Sequence, residues 1–131
     1  MNELIIAKPS VEIDAALKEL VRQQNQGCTI LHCRYYTTEP TGVRIWPTTF
    51  LVEDTGRRGK LLHQFNISLV PQWTYHLVYN DFIRFTLVFE ALSKDCSSFH
   101  LLEDIVQPFA FYSEQLQKNL SGVYKTAVFC S

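Results

Sequence analysis

Length, composition and charge already restrict what this chain can be. It has 131 residues, of which 47% are hydrophobic and 13% aromatic, and its formal net charge is −1. A chain of this size and composition builds one globular domain with its own core and needs no metal or disulfide to fold. The balanced charge gives no general attraction to nucleic acid, so no nucleic-acid partner is predicted.

The N-terminal sequence MNELIIAKPS has neither the basic region nor the apolar stretch of a signal peptide. No apolar run reaches the roughly 18 residues of a membrane span. If Met1 is the natural start, we expect a cytoplasmic protein. If an export signal has been removed, we expect a periplasmic or cell-envelope protein, and the sequence leaves that choice open.

The first element, within residues 10–24, has two interpretations. In PSVEIDAALKELVRQQ, apolar residues from Ile13 to Val21 recur on one helical stripe, and Ser10 could cap the helix. The same stretch could instead form an irregular strand, VEIDAALKELV. Residue propensity favours the helix, whereas the β-rich remainder of the chain favours the strand, which we prefer slightly.

Short β-rich runs alternate with turn residues from Cys28 onwards. The predicted strands are CTILHCRYY (28–36), VRIWPTTFLVED (43–54), KLLHQFNISL (60–69), TYHLVYN (74–80), FIRFTLVFEAL (82–92), FHLLEDIV (99–106) and FAFYSEQLQ (109–117). In FIRFTLVFEAL, every second residue from Ile83 to Ala91 is apolar, as expected when one face of an antiparallel sheet covers a core. Spacing of this kind predicts an all-β sandwich or barrel.

The tail SGVYKTAVFCS, residues 121–131, is also apolar and prone to form a strand. It could cover the edge of the sheet or supply a strand to a partner by β-augmentation. Edge coverage is the favoured interpretation.

Two long stretches, TGVRIWPTTFLVEDTGRRGKLLHQFNISLVPQWTY and IRFTLVFEALSKDCSSFHLLED, carry a family resemblance. They resemble an immunoglobulin-like domain of Bacteroidetes proteins that often lies N-terminal to a thioredoxin-like thiol–disulfide oxidoreductase domain. The shared features are a W-x-R-I or R-I-x-like strand, a T-x-L-V-x-D/E hairpin strand, a charged turn, a P-x-x-x-Y segment, an F-T-L-x-F-E strand and a final F-x-L-x-E strand. All of them are structural, and none is catalytic.

The resemblance covers about residues 11–112 of one domain spanning residues 1–131, so residues 113–131 become a C-terminal extension. It implies an immunoglobulin-like antiparallel β-sandwich of about seven or eight strands, with residues 11–21 as the first. The chain has no C-x-x-C pair and no thioredoxin domain. The resemblance therefore does not imply a redox activity for this chain.

The cysteines and histidines predict neither a disulfide nor a metal site. The chain has four of each: Cys28, Cys33, Cys96 and Cys130, and His32, His63, His76 and His100. Cys33, Trp46 and Cys96 loosely follow the immunoglobulin spacing, but Lys94 stands where that motif places a Tyr, so free thiols are favoured. The histidines lack the short H-x₃₋₅-H spacing of zinc sites, although a His/Cys cluster with Cys33 could form across strands. No metal or cofactor is predicted.

No catalytic residue is predicted. The sequence contains no G-x-S-x-G elbow and no glycine-rich phosphate loop. Two adjacent carboxylate pairs, Glu53-Asp54 and Glu103-Asp104, lie at predicted strand ends. Neighbouring residues on a strand point to opposite faces, so neither pair forms an acid–base dyad by itself.

The candidate binding surface consists of exposed aromatics and a basic tip. Trp73 in VPQWTY, and Phe109, Phe111 and Tyr112 in PFAFY, are the aromatics that we expect to be exposed, and exposed aromatic clusters mark binding patches. Arg57 and Arg58 could contact phosphate or an acidic partner. Because acidic residues flank these arginines, a solvated hairpin turn is the favoured interpretation of the tip.

These observations favour a non-catalytic interaction or binding module that binds a protein partner or self-associates through a sheet edge. The alternative is an accessory domain that assists a thiol–disulfide redox protein in trans. A metal or hydrolase site on the loops ranks third.

Overall fold

The computed structural model describes the backbone of residues 5–6 and all of residues 27–131. The regular structure in these ranges is entirely β, so the predicted all-β class is confirmed for the described chain. The helix-or-strand prediction for residues 10–24, and with it the implied first strand 11–21, lies outside the described residues. In the part of the chain that is described, no helix is long and apolar enough to cross a membrane.

Twelve strands follow one another along the described residues. They are β1 (Ile5–Ile6), β2 (Cys28–Thr37), β3 (Thr41–Ile45), β4 (Thr49–Glu53), β5 (Arg58–Phe65), β6 (Ser68–Leu69), β7 (Thr74–His76), β8 (Asp81–Glu90), β9 (Ser98–Glu103), β10 (Phe111–Ser113), β11 (Leu116–Gln117) and β12 (Val123–Cys130).

Some predicted strands are divided where the backbone turns. The run 43–54 splits into β3 and β4 around Pro47, and the N–H of Thr49 donates to the carbonyl of Trp46 at 3.1 Å to close the turn. Proline cannot donate to a ladder, so a break at this position is expected. The run 60–69 splits at Asn66, which has a left-handed φ of 61°.

Seven strands close into a barrel. The strand order of the larger sheet is β10-β12-β2-β8-β5-β4-β9-β11. Strand β10 also pairs with β9, with Tyr112 opposite Leu102. This additional pairing closes every strand of the sheet except β11 into a ring. Strands β12 and β2 are parallel, with Val123 opposite Ile30. Both features differ from the predicted immunoglobulin-like antiparallel sandwich of seven or eight strands, in which two separate sheets face each other.

The C-terminal tail is part of this barrel. Strand β12 lies between β2 and β10, so residues 113–131 contribute to the ring rather than extend from a finished domain. Closure pairs each strand of the ring on both sides, which removes open edges from it. The predicted association through an uncovered edge therefore finds no free strand within the described ring.

A smaller sheet, in the order β1-β7-β3-β6, lies beside the barrel. Strands β3 and β7 are antiparallel, with Gly42 opposite Tyr75 and Val43 opposite Thr74. This register brings the residues before β7 alongside the end of β3, where the candidate site described below is formed.

The core contains the apolar face predicted for β8. Ile83, Phe85, Leu87 and Phe89 are all at most 1% exposed, which confirms that prediction, whereas Ala91 follows the strand and is exposed. Burying one such side chain stabilises the fold by about 1.5–3 kcal/mol. The opposite face of β8 is only partly solvated, because Thr86 and Val88 on that face are buried as well.

Candidate functional site

An open cleft of about 560 Å³ lies beside β3. Its walls come from β3, the residue before β7, the segment 105–109 that follows β9, and the ends of β2, β9, β10 and β12. Its volume falls in the range of about 300–1,000 Å³ that is typical of small-molecule sites. The lining residues are Tyr35, Thr41, Gly42, Val43, Arg44, Trp46, Trp73, Glu103, Ile105, Gln107, Pro108, Phe109, Phe111 and Cys130.

Arg44 is held against two indole rings in this cleft. Its guanidinium carbon lies 4.1 Å from the ring centroid of Trp73 and 5.6 Å from that of Trp46. Arg44 and Trp46 lie two positions apart on extended chain and so share one side of it. Contacts of this kind are attractive because the cation faces the negative surface of the ring. Within the described chain, no hydrogen bond or ion pair engages the guanidinium of Arg44.

Gly42 allows the aromatic wall to approach the backbone of β3. A Cβ atom at this position would lie 2.9 Å from Cε1 of Tyr75 and 3.2 Å from Cε3 of Trp73. Both separations are shorter than an ordinary contact of about 3.5–4.0 Å between carbon atoms. The absence of a side chain at Gly42 therefore lets Trp73 lie where it meets Arg44.

Glu103 is a buried carboxylate at the cleft, with only 3% of its surface exposed. Its Oε2 accepts hydrogen bonds from the N–H of Trp46 at 2.9 Å and the hydroxyl of Thr49 at 3.1 Å, and its Oε1 accepts from the N–H of Phe111 at 3.2 Å. Burial raises the pKa of Glu103, and these bonds and the charge of Arg44 offset only part of that effect. The carboxyl group thus ties the start of β4 and of β10 to the end of β9.

Cys130 and Tyr35 supply a neutral part of the wall. Burial raises the pKa of the Cys130 thiol to about 11, so the thiol is protonated at neutral pH. Burial also raises the pKa of Tyr35, and the neighbouring Cys130 adds to that shift. The Tyr35 ring meets Phe111 edge to face, with centroids 5.4 Å apart. Neither group carries a charge into the cleft at neutral pH.

All four cysteines are free thiols, Cys33 and Cys96 included. Burial is the largest cause of a raised pKa at each of the four. Since the thiolate is the reactive form, a raised pKa makes a cysteine a poor nucleophile in thiol–disulfide exchange.

Phe109 forms an exposed rim of the cleft. It is 74% exposed and has a φ of 70°, in the left-handed region that non-glycine residues seldom adopt. Its N–H donates to the carbonyl of Ser131 at 2.6 Å, and the N–H of Ser131 donates to the carbonyl of Ala110 at 3.1 Å. Unfavourable backbone conformations that the surroundings impose are concentrated at functional sites.

Three of the six residues predicted as a binding surface line this cleft: Trp73, Phe109 and Phe111. The prediction that Phe111 is exposed was wrong, because Phe111 is only 4% exposed and belongs to the core. Tyr112 points away from the cleft and packs on Phe129, with ring centroids 5.6 Å apart. Alternation along β10 explains this, since neighbouring residues of a strand face opposite sides.

The basic tip lies elsewhere and is held by ion pairs. Nη1 of Arg57 donates to Oε2 of Glu53 and to the carbonyl of Ala91, both at 2.9 Å. Nη1 of Arg58 donates to Oδ2 of Asp104 at 2.9 Å. The two arginines predicted as a binding surface therefore engage neighbouring parts of the chain and do not line the cleft.

Glu53 is the buried partner of this tip, with a fully buried side chain. Burial by itself would raise its pKa, but hydrogen bonds from Ser93, Thr55 and Arg57 outweigh burial and lower the pKa below its ordinary value. Arg57 is thus a structural residue that compensates a buried charge.

The His/Cys cluster considered from the sequence is not assembled in the described chain. Among the described residues, no group of three or more His, Cys, Asp or Glu side chains could hold a metal ion. His32 lies 2.8 Å from the Thr86 hydroxyl, and His76 is buried at 6% exposure.

Sequence reasoning missed Arg44, Trp46, Glu103, Tyr35 and Cys130 as members of one site. The R-x-W pattern at the end of a strand was the available signal, because it places both side chains on one side of the chain. The prediction that Glu103 and Asp104 face opposite ways is confirmed, since Glu103 is buried and Asp104 is exposed.

Comparisons with protein-family models, with curated proteins and with solved structures found no match to this chain. The resemblance to the Bacteroidetes domain accordingly rests on the strand motifs quoted above.

Proposed function

We propose that this chain is a non-catalytic binding module and that the cleft beside β3 is its ligand site. The observation that carries the proposal is the position of Arg44, whose guanidinium is held against Trp73 and Trp46 without a hydrogen-bonding partner in the described chain. A cation fixed in this way has little conformational freedom to lose on binding, which favours affinity.

The groups that line the cleft support binding rather than catalysis. The carboxylate of Glu103 already accepts three hydrogen bonds, and the thiol of Cys130 is protonated at neutral pH. No histidine occurs among the described residues that line the cleft. A general acid or base needs both access to the substrate and a pKa near the working pH. Glu103 is only 3% exposed, and Cys130 keeps its proton at neutral pH, so neither group meets both conditions.

The two tryptophans of the chain both line the cleft, and this provides the test. A fragment library screened by two-dimensional NMR should yield compounds that shift both indole N–H signals together. Resonances of the basic tip, such as that of Arg58, serve as the internal reference because they lie outside the cleft. A library of ordinary size that gives no hits, or hits that shift only signals outside the cleft, contradicts the proposal.

Two proposals from the sequence stand beside this one. Kinship with immunoglobulin-like domains is supported by the strand motifs, and an accessory role beside a thiol–disulfide protein is supported by the resemblance that those motifs carry. Association through a sheet edge is less favoured, because the ring of seven strands leaves none of its own strands open.

A further inference from the structure

We propose that the ligand of the cleft carries a carboxylate next to an aromatic ring, with the carboxylate bound by Arg44 and the ring packed on Trp73 and Phe109. This inference rests on the proposed function and specifies its ligand. Two sources share the chemistry: a free aromatic acid, and the C-terminal residue of a peptide that ends in an aromatic side chain.

The carboxylate is assigned from the state of Arg44. A guanidinium packed against the face of a ring keeps the N–H groups at its edge for other partners, and a planar carboxylate matches that fork with two parallel hydrogen bonds. Glu103 lines the same cleft, but among the ion pairs of the described residues none joins it to Arg44. Among the described residues, no carboxylate pairs with the guanidinium of Arg44, and we assign that position to a ligand.

A single negative charge fits the cleft better than a phosphate does. Arg44 is the one cationic residue among the described residues that line it, and Glu103 adds a buried carboxyl group nearby. The arginines of the basic tip, Arg57 and Arg58, lie outside the cleft and are paired with Glu53 and Asp104, so they add no second cation to it. Phosphate recognition usually draws on several donors or cations together.

The aromatic ring is assigned from the apolar rim. Trp73, Pro108 and Phe109 all line the cleft, and Phe109 is 74% exposed. A ring inserted between such surfaces gains apolar contact and the favourable geometry of aromatic pairs. The wall formed by Tyr35 and Cys130 is neutral at physiological pH, so it does not oppose an apolar group.

The first experiment compares matched probes by titration of tryptophan fluorescence. N-acetyl-phenylalanine has both the carboxylate and the ring, N-acetyl-phenylalaninamide lacks the charge, and N-acetyl-alanine lacks the ring. We expect the first to bind roughly tenfold or more tightly than either of the others. Equal affinity for the amide overturns the carboxylate assignment, and equal affinity for N-acetyl-alanine overturns the aromatic one.

The second experiment uses variants. Arg44→Gln should reduce the affinity for N-acetyl-phenylalanine to that for the amide. Arg84→Gln is the matched control, because Arg84 is an exposed cation on β8 whose guanidinium lies 5.7 Å from the Phe82 ring, outside the cleft. If both variants bind N-acetyl-phenylalanine as the unaltered chain does, Arg44 is not the anchor and the inference fails.

A further variant keeps the inference testable if Arg44→Gln does not fold. Phe109 is exposed and contributes little to the core, so Phe109→Ala should remain folded. It should lower the affinity for N-acetyl-phenylalanine and leave that for N-acetyl-alanine unchanged. Equal losses for the two acids, or no loss for either, overturn the assignment of the ring to Phe109.

The two sources are separated with a hexapeptide that ends in phenylalanine. Tighter binding of the peptide than of N-acetyl-phenylalanine indicates a peptide C-terminus, and equal or weaker binding indicates a free aromatic acid; both results support the shared chemistry. If the fragment screen finds neutral cleft ligands that outcompete every aromatic acid, the proposed function stands and this inference fails. If nothing binds the cleft, both fail.

Discussion

The guanidinium carbon of Arg44 lies 4.1 Å from the ring centroid of Trp73, although the two residues belong to different segments of the chain. Arg44 is near the end of β3, and Trp73 directly precedes β7. The antiparallel register of these strands, with Val43 opposite Thr74, brings the residues together. The cleft thus depends on a strand pairing as well as on the residues that line it.

The first prediction concerns Gly42, whose bare backbone accommodates Trp73. Gly42→Ala should destabilise the fold by about 1–3 kcal/mol, because a Cβ atom there would lie 2.9 Å from Tyr75 and 3.2 Å from Trp73. Displacement of Trp73 should also change the tryptophan fluorescence. Gly59→Ala is the matched control, since the nearest described atom to its Cβ, apart from its chain neighbours, would be Cβ of Leu51 at 3.8 Å. Equal stability of the two variants in urea denaturation would contradict the prediction.

The second prediction separates the two arginines of the basic tip. Arg57→Ala should lower the free energy of unfolding by about 1–3 kcal/mol, because it removes a hydrogen bond to the fully buried carboxylate of Glu53. Arg58→Ala should lower the free energy of unfolding by only about 0–1 kcal/mol, because both members of its pair with Asp104 are exposed. Urea denaturation of both variants provides the comparison. A larger loss for Arg58→Ala would show that Glu53 does not depend on Arg57.

The third prediction is a pH dependence of stability due to His76. Burial lowers the pKa of His76 from 6.5, although a hydrogen bond with the backbone of Asn66 opposes that effect. Below pH 6.5 the unfolded chain therefore binds a proton that the folded chain does not, and the free energy of unfolding decreases as the pH falls towards the lowered pKa. His76→Gln should lose less stability between pH 7.5 and pH 5.5, roughly the range over which histidine titrates. If the free energy of unfolding depends on pH in the same way for the variant and the unaltered chain, the prediction is contradicted.

The fourth prediction is a pH dependence of ligand binding due to Glu103. Since burial raises its pKa, Glu103 gains its charge above the ordinary carboxyl range as the pH rises. The new negative charge lies in the same cleft as Arg44, so the affinity for N-acetyl-phenylalanine should fall as the pH rises from about 5, where the ligand's own carboxyl group is already ionised, to neutral. Cys130, with a pKa of about 11, stays neutral throughout. N-acetyl-phenylalaninamide is the control, and a parallel loss of its affinity would assign the effect to another cause.

The fifth prediction concerns the reactivity of the cysteines. Burial raises the pKa of all four thiols, and the thiolate fraction falls about tenfold for each unit of pKa. At pH 7.5, roughly one unit below the ordinary pKa of a cysteine, N-ethylmaleimide should label the folded chain much more slowly than the urea-unfolded chain. Mass spectrometry counts the labels. If one cysteine reacts as fast in the folded chain as it does in the unfolded chain, that result would instead favour the accessory redox role.

Local periodicity was sufficient to predict several features of this protein. Alternation along FIRFTLVFEAL identified Ile83, Phe85, Leu87 and Phe89 as core residues, and the same rule placed Glu103 and Asp104 on opposite sides of their strand. These inferences succeed because the direction of a side chain on a strand depends only on its position along that strand.

Short segments were less predictable. In PFAFY the sequence indicated exposure of the whole group, but β10 buries Phe111 and exposes Tyr112. A strand of three residues has too few alternations to show which of its faces meets the core.

The β class, the core face of β8 and the opposite directions of neighbouring side chains could therefore be inferred from residue order alone. Only the folded chain shows that the strands close into a barrel, that β12 runs parallel to β2, and that Arg44, Trp73 and Glu103 line one cleft. The physical reason is that alternation is a property of one strand, whereas closure and register depend on which distant strands exchange backbone hydrogen bonds, and residue propensity does not specify those partners.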